Sequence, residues 1–210
     1  RFDIHSWAGA SVAQEYGYSA MPHIRALDID LDNELPMKQY LNSRHINDVL
    51  VITGDPPQNM AHKVYPTVST DIIHKFRDEM PNITVYAGID QYRSSMRQEL
   101  YQIRRKAQAG ASGFFTQPFF DLRYMEMYAD MLDGLNIYWG ISPVLSERSV
   151  SYWEIKNNII FPKDFEPTLE WNIDFARKVR RFVEKIGGNM YIMPIKANLT
   201  EYMNGIFSAD

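Results

Sequence analysis

The sequence predicts an α/β protein organised around a parallel sheet. Three observations carry this reading: six short apolar runs, stretches of helical apolar spacing between them, and a polar or charged residue where each run stops. Runs this apolar suit strands covered on both faces, and strands separated by helices pair in parallel through right-handed βαβ units. In such sheets, ligands bind at the C-terminal strand ends.

In chain order, a helix is expected over 6–16 and a strand over 18–27, then a helix over 32–43. The next strand runs through Val49-Leu50-Val51-Ile52-Thr53-Gly54-Asp55-Pro56-Pro57 and ends at Asp55, where a glycine and two prolines turn the chain. A polar loop over 56–66 leads to a helix over 69–79 and a strand over 83–88. Met96, Leu100 and Ile103 set the apolar stripe of a helix over 95–108, followed by a strand over 113–120 and a helix over 124–132. A strand over 136–142, helices over 149–157 and 172–185, a strand over 190–195 and a helix over 199–207 complete the pattern.

Six strands fit a doubly wound sheet or part of a closed (β/α)8 barrel. No Gly-x-Gly-x-x-Gly follows a strand and no Gly-x-x-x-x-Gly-Lys-Ser/Thr occurs, so the best-marked doubly wound nucleotide sites are missing and the barrel is favoured. The expectation is one catalytic barrel domain over 1–210 with about six βα units visible. Because the chain opens inside a helix, N-terminal units are expected to be missing.

Composition limits the function classes. The 210 residues are 45% hydrophobic, enough for one sizeable core. Net charge is -4 with scattered Lys and Arg, which argues against a nucleic-acid surface. With no cysteine, disulfides, thiolate nucleophiles and Cys-metal sites are all excluded. No run reaches the roughly 18 apolar residues of a membrane span. Arg1-Phe2-Asp3-Ile4-His5 lacks the shape of a signal peptide, so a cytoplasmic location without membrane partners is expected. Met125, Met127 and Met131 read either as a homo-oligomer interface or as ordinary helix packing, the latter being the simpler reading.

The expected strand ends gather His23, Arg25, Thr53, Asp55, Asp90, Tyr92, Thr116, Gln117, Ser142 and Lys196, a set suited to a polar, partly aromatic ligand. His23 reads either as a mouth residue or as a satisfied core histidine, and Asp55 alone reads first as a turn cap. Gln117 is more telling, because an amide inside Phe114-Phe115-Thr116-Gln117-Pro118-Phe119-Phe120 needs partners. Lys196, closing an apolar run, reads as facing a mouth or a carboxylate. The aromatic pairs Tyr138-Trp139 and Tyr152-Trp153 read as core.

Several segments together resemble the methylenetetrahydrofolate reductase family. They are Pro22-His23-Ile24-Arg25-Ala26-Leu27-Asp28, Thr53-Gly54-Asp55-Pro56-Pro57, the run from Ala109-Gly110-Ala111 through Thr116-Gln117-Pro118-Phe119-Phe120-Asp121, and Gly140-Ile141-Ser142-Pro143-Val144. The resemblance implies a (β/α)8 TIM barrel that binds FAD and reduces 5,10-methylenetetrahydrofolate to 5-methyltetrahydrofolate with electrons from NADH or NADPH. It assigns Asp55 a catalytic, electrostatic role beside flavin and folate, and makes Asp55, Gln117 and Lys196 substrate-binding residues. Flavin contacts are implied at His23, Ile52, Thr53, Gly54, Asp55, Tyr92, Gln102, Arg105 and Lys106, the last two near the phosphates.

The chain also departs from the family pattern. The family's acidic glutamate on the first strand has no counterpart in these residues. The usual Tyr-Pro-Glu-x-His-Pro loop reads Gly88-Ile89-Asp90-Gln91-Tyr92-Arg93, and an Asn-Phe pair reads Ser146-Glu147. Three functions are therefore weighed: a flavin-dependent folate reductase, a flavin-independent or catabolic one-carbon enzyme of the same family, and a noncatalytic folate-binding barrel.

Overall fold

A computed structural model describes residues 4–55 and 63–208. Pro56, Pro57 and most of the expected polar loop lie outside the described residues. Helices and strands alternate: α1 Ser6–Glu15, β1 His23–Arg25, α2 Lys38–Ser43, β2 Asp48–Ile52, α3 Ser69–Glu79, β3 Thr84–Ile89, α4 Met96–Ala109 and β4 Gly113–Thr116. They continue as α5 Leu122–Met131, β5 Ile137–Ile141, α6 Glu147–Asn157, α7 Leu169–Lys185, β6 Asn189–Ile192 and α8 Leu199–Phe207. The sheet order is β1-β2-β3-β4-β5-β6, with β1–β2, β2–β3 and β5–β6 parallel. Strands that neighbour each other in chain order lack the reversal that defines a doubly wound sheet, as the missing glycine fingerprints implied.

Every expected element forms, but β2 ends at Ile52 rather than Asp55, β5 covers 137–141 rather than 136–142, and three other strands stop well inside the apolar runs that encode them. β1 begins only at His23, because Pro22 has no N–H, and ends where a 3-10 turn forms over Ala26–Asp28. β4 stops before Pro118 for the same reason. β6 ends at Ile192: Pro194 cannot continue it, and Ile195 N–H turns back to Met193 O at 2.9 Å. α2 also starts late, at Lys38, with turns replacing its expected first residues.

The chain forms two compact units, Arg1–Gly88 with Tyr101–Phe114, and Ile89–Leu100 with Phe115–Asp210. In the first unit, strand alternation sends Ile24, Val49, Val51, Val85 and Ala87 to one fully buried side, joined by Ile72, Ile73 and Phe76 of α3. In the second, Phe120, Val144, Trp153 and Ile159 form a core with Phe161, Phe165 and Met193 packed on it. Trp139 and Trp153 are core, as expected, whereas Tyr152 is exposed and Tyr138 half-buried. Met125 is buried and Met127 exposed. Among the described residues, no helix is long and apolar enough to cross a membrane.

Candidate functional site

In the first unit, parallel register sets His23 beside Leu50, Arg25 beside Ile52, and Leu50 beside Tyr86. Alternation puts these residues on the side opposite the buried one. His23 is exposed, and its carbonyl accepts from Ser6 Oγ at 2.6 Å. Protein packed around the ring withholds water and lowers the imidazole pKa below its ordinary value, which favours the neutral form.

β2 gives way to a turn that the sequence marks by Gly54. Its φ is +86°, and a Cβ there would lie 2.3 Å from Arg25 Cγ, so only glycine lets the arginine cross. The Arg25 guanidinium donates to Asp55 O and pairs with Asp28 at 3.2 Å. Leu27 N–H holds Thr53 O at 3.2 Å. The Thr53-Gly54-Asp55 segment is thus pinned at its backbone, with the Asp55 carboxylate exposed at its end and Thr53 half-buried. Arg25 is a structural partner that the resemblance did not assign to the site.

On α4, Gln102 is half-buried, while Arg105 and Lys106 point in different directions, as adjacent helix residues must. Arg105 lies over the Tyr101 ring at 5.9 Å and lines an open cleft with Thr70, Asp71, His74 and Gln108. The Lys106 ammonium donates to Gly88 O at 2.6 Å. The structure does not bring these two bases together.

The second unit builds its polar cluster around the residue after β4. Gln117 N–H lies 2.8 Å from Ile89 O and 3.1 Å from Gln91 Oε1, and Gln117 O accepts from Gln91 Nε2 at 2.7 Å. The flanking carbonyls are held as well: Thr116 O by the Tyr191 hydroxyl and Pro118 O by the Tyr92 hydroxyl at 3.1 Å. Tyr92 is therefore half-buried, with its ring against Phe119 and Tyr124, and burial pushes its phenol pKa well above the usual range. The Gln117 carboxamide, half-buried, has no hydrogen-bond partner among the described residues. Lys196 lies beyond β6, exposed, in a left-handed turn with φ of 55°. Ser146, at the departed Asn-Phe position, caps α6 by accepting from Ser149 N–H at 3.3 Å.

Sequence reasoning missed three of these residues. Gln91 is 1% exposed and Glu99 5%, the latter accepting from Asp90 N–H at 3.2 Å. Tyr191 crosses Gly140, where a Cβ would lie 2.6 Å from its ring. A glycine inside the apolar run Ile137-Tyr138-Trp139-Gly140-Ile141 was the available signal, since strand glycines often mark close approach. Gln91 and Glu99 carried no comparable local signal.

A sequence-ordered sheet whose strands alternate with helices defines an α/β protein. The chain belongs to the methylenetetrahydrofolate reductase family, whose model matches residues 5–206. It is 22% identical over 198 residues to the 5,10-methylenetetrahydrofolate reductase of Buchnera aphidicola subsp. Schizaphis graminum, covering 90% of this chain and 65% of that protein. It is likewise 22% identical to the Salmonella typhimurium enzyme of that name, covering 88% of this chain and 63% of the other. The chain thus spans slightly under two thirds of the length of these relatives. Among solved structures, a triclinic crystal form of 2,3-dimethylmalate lyase aligns with a TM-score of 0.49 at 14% identity, over 87% of this chain and 65% of that one.

Proposed function

We propose that this chain carries part of a flavin-dependent reductase that converts 5,10-methylenetetrahydrofolate to 5-methyltetrahydrofolate at the expense of NADH or NADPH. The observation that carries the reading is Gln117: its backbone is fixed on both sides while its carboxamide keeps donor and acceptor available among the described residues. An amide held this way suits the paired donor and acceptor edge of a pterin. Family membership supports the same chemistry.

The residues of the first unit fit the ring end of a flavin. His23, Ile52, Thr53 and Gly54 are all at least partly exposed, on or directly after strands of one sheet. Gln102 and the exposed Arg105 are left for the rest of the cofactor, with Lys106 turned to Gly88 O. When bound, the flavin supplies hydride acceptance and donation at its N5. Asp55, a carboxylate on a pinned turn, would tune that reduction and favour a cationic form of the folate. Lys196 would meet the substrate as a point charge.

One observation favours a second reading, a flavin-independent reductase of the same family. Lys106 and Tyr92, both implied flavin contacts, spend hydrogen bonds on Gly88 O and Pro118 O. The absorbance spectrum of purified protein separates the two. Flavin bands that bleach anaerobically with NADH and recolour with methylenetetrahydrofolate are expected. A colourless protein that added FAD does not restore would leave the second reading, and bleaching without recolouring would exclude the folate as acceptor.

A further inference from the structure

We propose that Gln91 is a positioning residue that sets the orientation of the Gln117 carboxamide toward the folate, an inference that rests on the folate-reducing reading above. Gln91 is 1% exposed, and a carboxamide so deeply buried is costly unless its donor and acceptor are both used. Both are spent on the backbone of one residue, in the two peptide units that flank its Cα: Nε2 donates to Gln117 O at 2.7 Å and Oε1 accepts from Gln117 N–H at 3.1 Å. Ile89 O already holds Gln117 N–H at 2.8 Å, so what Gln91 adds is the hold on Gln117 O, and with both ends held the rotation of that backbone is fixed, as by a strand neighbour. Gln91 is itself fixed, because the Tyr124 hydroxyl donates to its carbonyl at 2.7 Å. The Tyr191 and Tyr92 hydroxyls hold the carbonyls on either side of Gln117. The clamp therefore constrains residues 116–118 on every side except that of the Gln117 side chain.

The consequence is that Gln91 acts on the substrate only through Gln117. Calorimetric titration with 5-methyltetrahydrofolate would compare wild type, Gln91→Ala, Gln91→Met, Gln117→Ala and the Gln91→Met, Gln117→Ala double variant. Met preserves the buried volume should the alanine variant fail to fold. Loss of the two-point contact is expected to weaken binding about tenfold in either Gln91 variant. The double variant should bind no more weakly than Gln117→Ala, a coupling that loss of general stability would not produce. Wild-type affinity in Gln91→Met, or a loss that adds in full to that of Gln117→Ala, would overturn the inference and leave the proposed function standing. A wild-type protein that neither binds nor reduces the folate would overturn the functional reading, and this inference with it.

Discussion

At the residue scale, Gly140 shows how an absent side chain makes room for a polar contact. Gly140 lets the Tyr191 ring cross the sheet and donate to Thr116 O, while Gly140 N–H bonds Thr116 Oγ1 at 3.0 Å. Gly140→Ala is expected to cost about 1–3 kcal/mol, because a Cβ 2.6 Å from the ring displaces it and frees a buried carbonyl. Tyr191→Phe removes the hydroxyl alone and should cost about 1 kcal/mol. Urea denaturation midpoints of the two variants test this ordering, which equal effects would contradict. The same detail explains what was legible in the sequence. Gln117 stood out because an amide interrupts an apolar aromatic run, whereas its clamp Gln91 lies 26 residues away in an unremarkable polar loop. A contact made by chain reversal leaves no local trace at either end.

At the element scale, the helices were legible from apolar spacing, and their packing was not. α7 carries the stripe Phe175, Ala176, Val179 and Val183, all buried. Its reading as a helix therefore needed only periodicity. What it does for α8 depends on charge. Arg177 Nε donates to Gly205 O at 2.8 Å and Arg180 to Ile206 O at 3.2 Å, so α7 supplies donors to the last turn of its neighbour, whose final carbonyls have no helical partner. Arg177→Ala should cost about 1 kcal/mol and raise amide exchange at the end of α8 before other helices respond. Uniform exchange along the chain would contradict a local role. Gly205 adds a steric limit: its Cβ would lie 2.3 Å from Ile173 Cδ1. Alanine would gain helix propensity yet push the two helices apart. The strand ends were the least legible feature, because an apolar run continues past the point where Pro118 or Pro194 ends the hydrogen bonding.

At the scale of the whole chain, the buried phenols concentrate in one unit. Burial raises the phenol pKa of Tyr92, Tyr128, Tyr191 and Tyr202, and all four belong to the second unit. The folded state retains their protons where the unfolded chain begins to release them, near pH of about 10. Their contribution is therefore complete below that pH and is lost as pH rises through and beyond it. In the first unit, Glu79 has the opposite sign. Desolvation opposes its ionisation, but Leu35 N–H at 3.0 Å and the Lys75 ammonium at 2.6 Å outweigh that and lower its pKa. Its contribution is present above the ordinary carboxylate range and is lost in acid. Trp139, Trp153 and Trp171 all lie in the second unit, so tryptophan fluorescence during denaturation reports mainly on that unit. Its midpoint should fall steeply above a pH of about 10. Tyr128→Phe sharpens the test. The Tyr128 hydroxyl is buried without a well-formed hydrogen bond among the described residues. Removing it should leave neutral-pH stability unchanged or raise it by up to about 1 kcal/mol, and should shallow the alkaline slope. An unchanged slope would mean that Tyr128 titrates alike in the folded and unfolded chain.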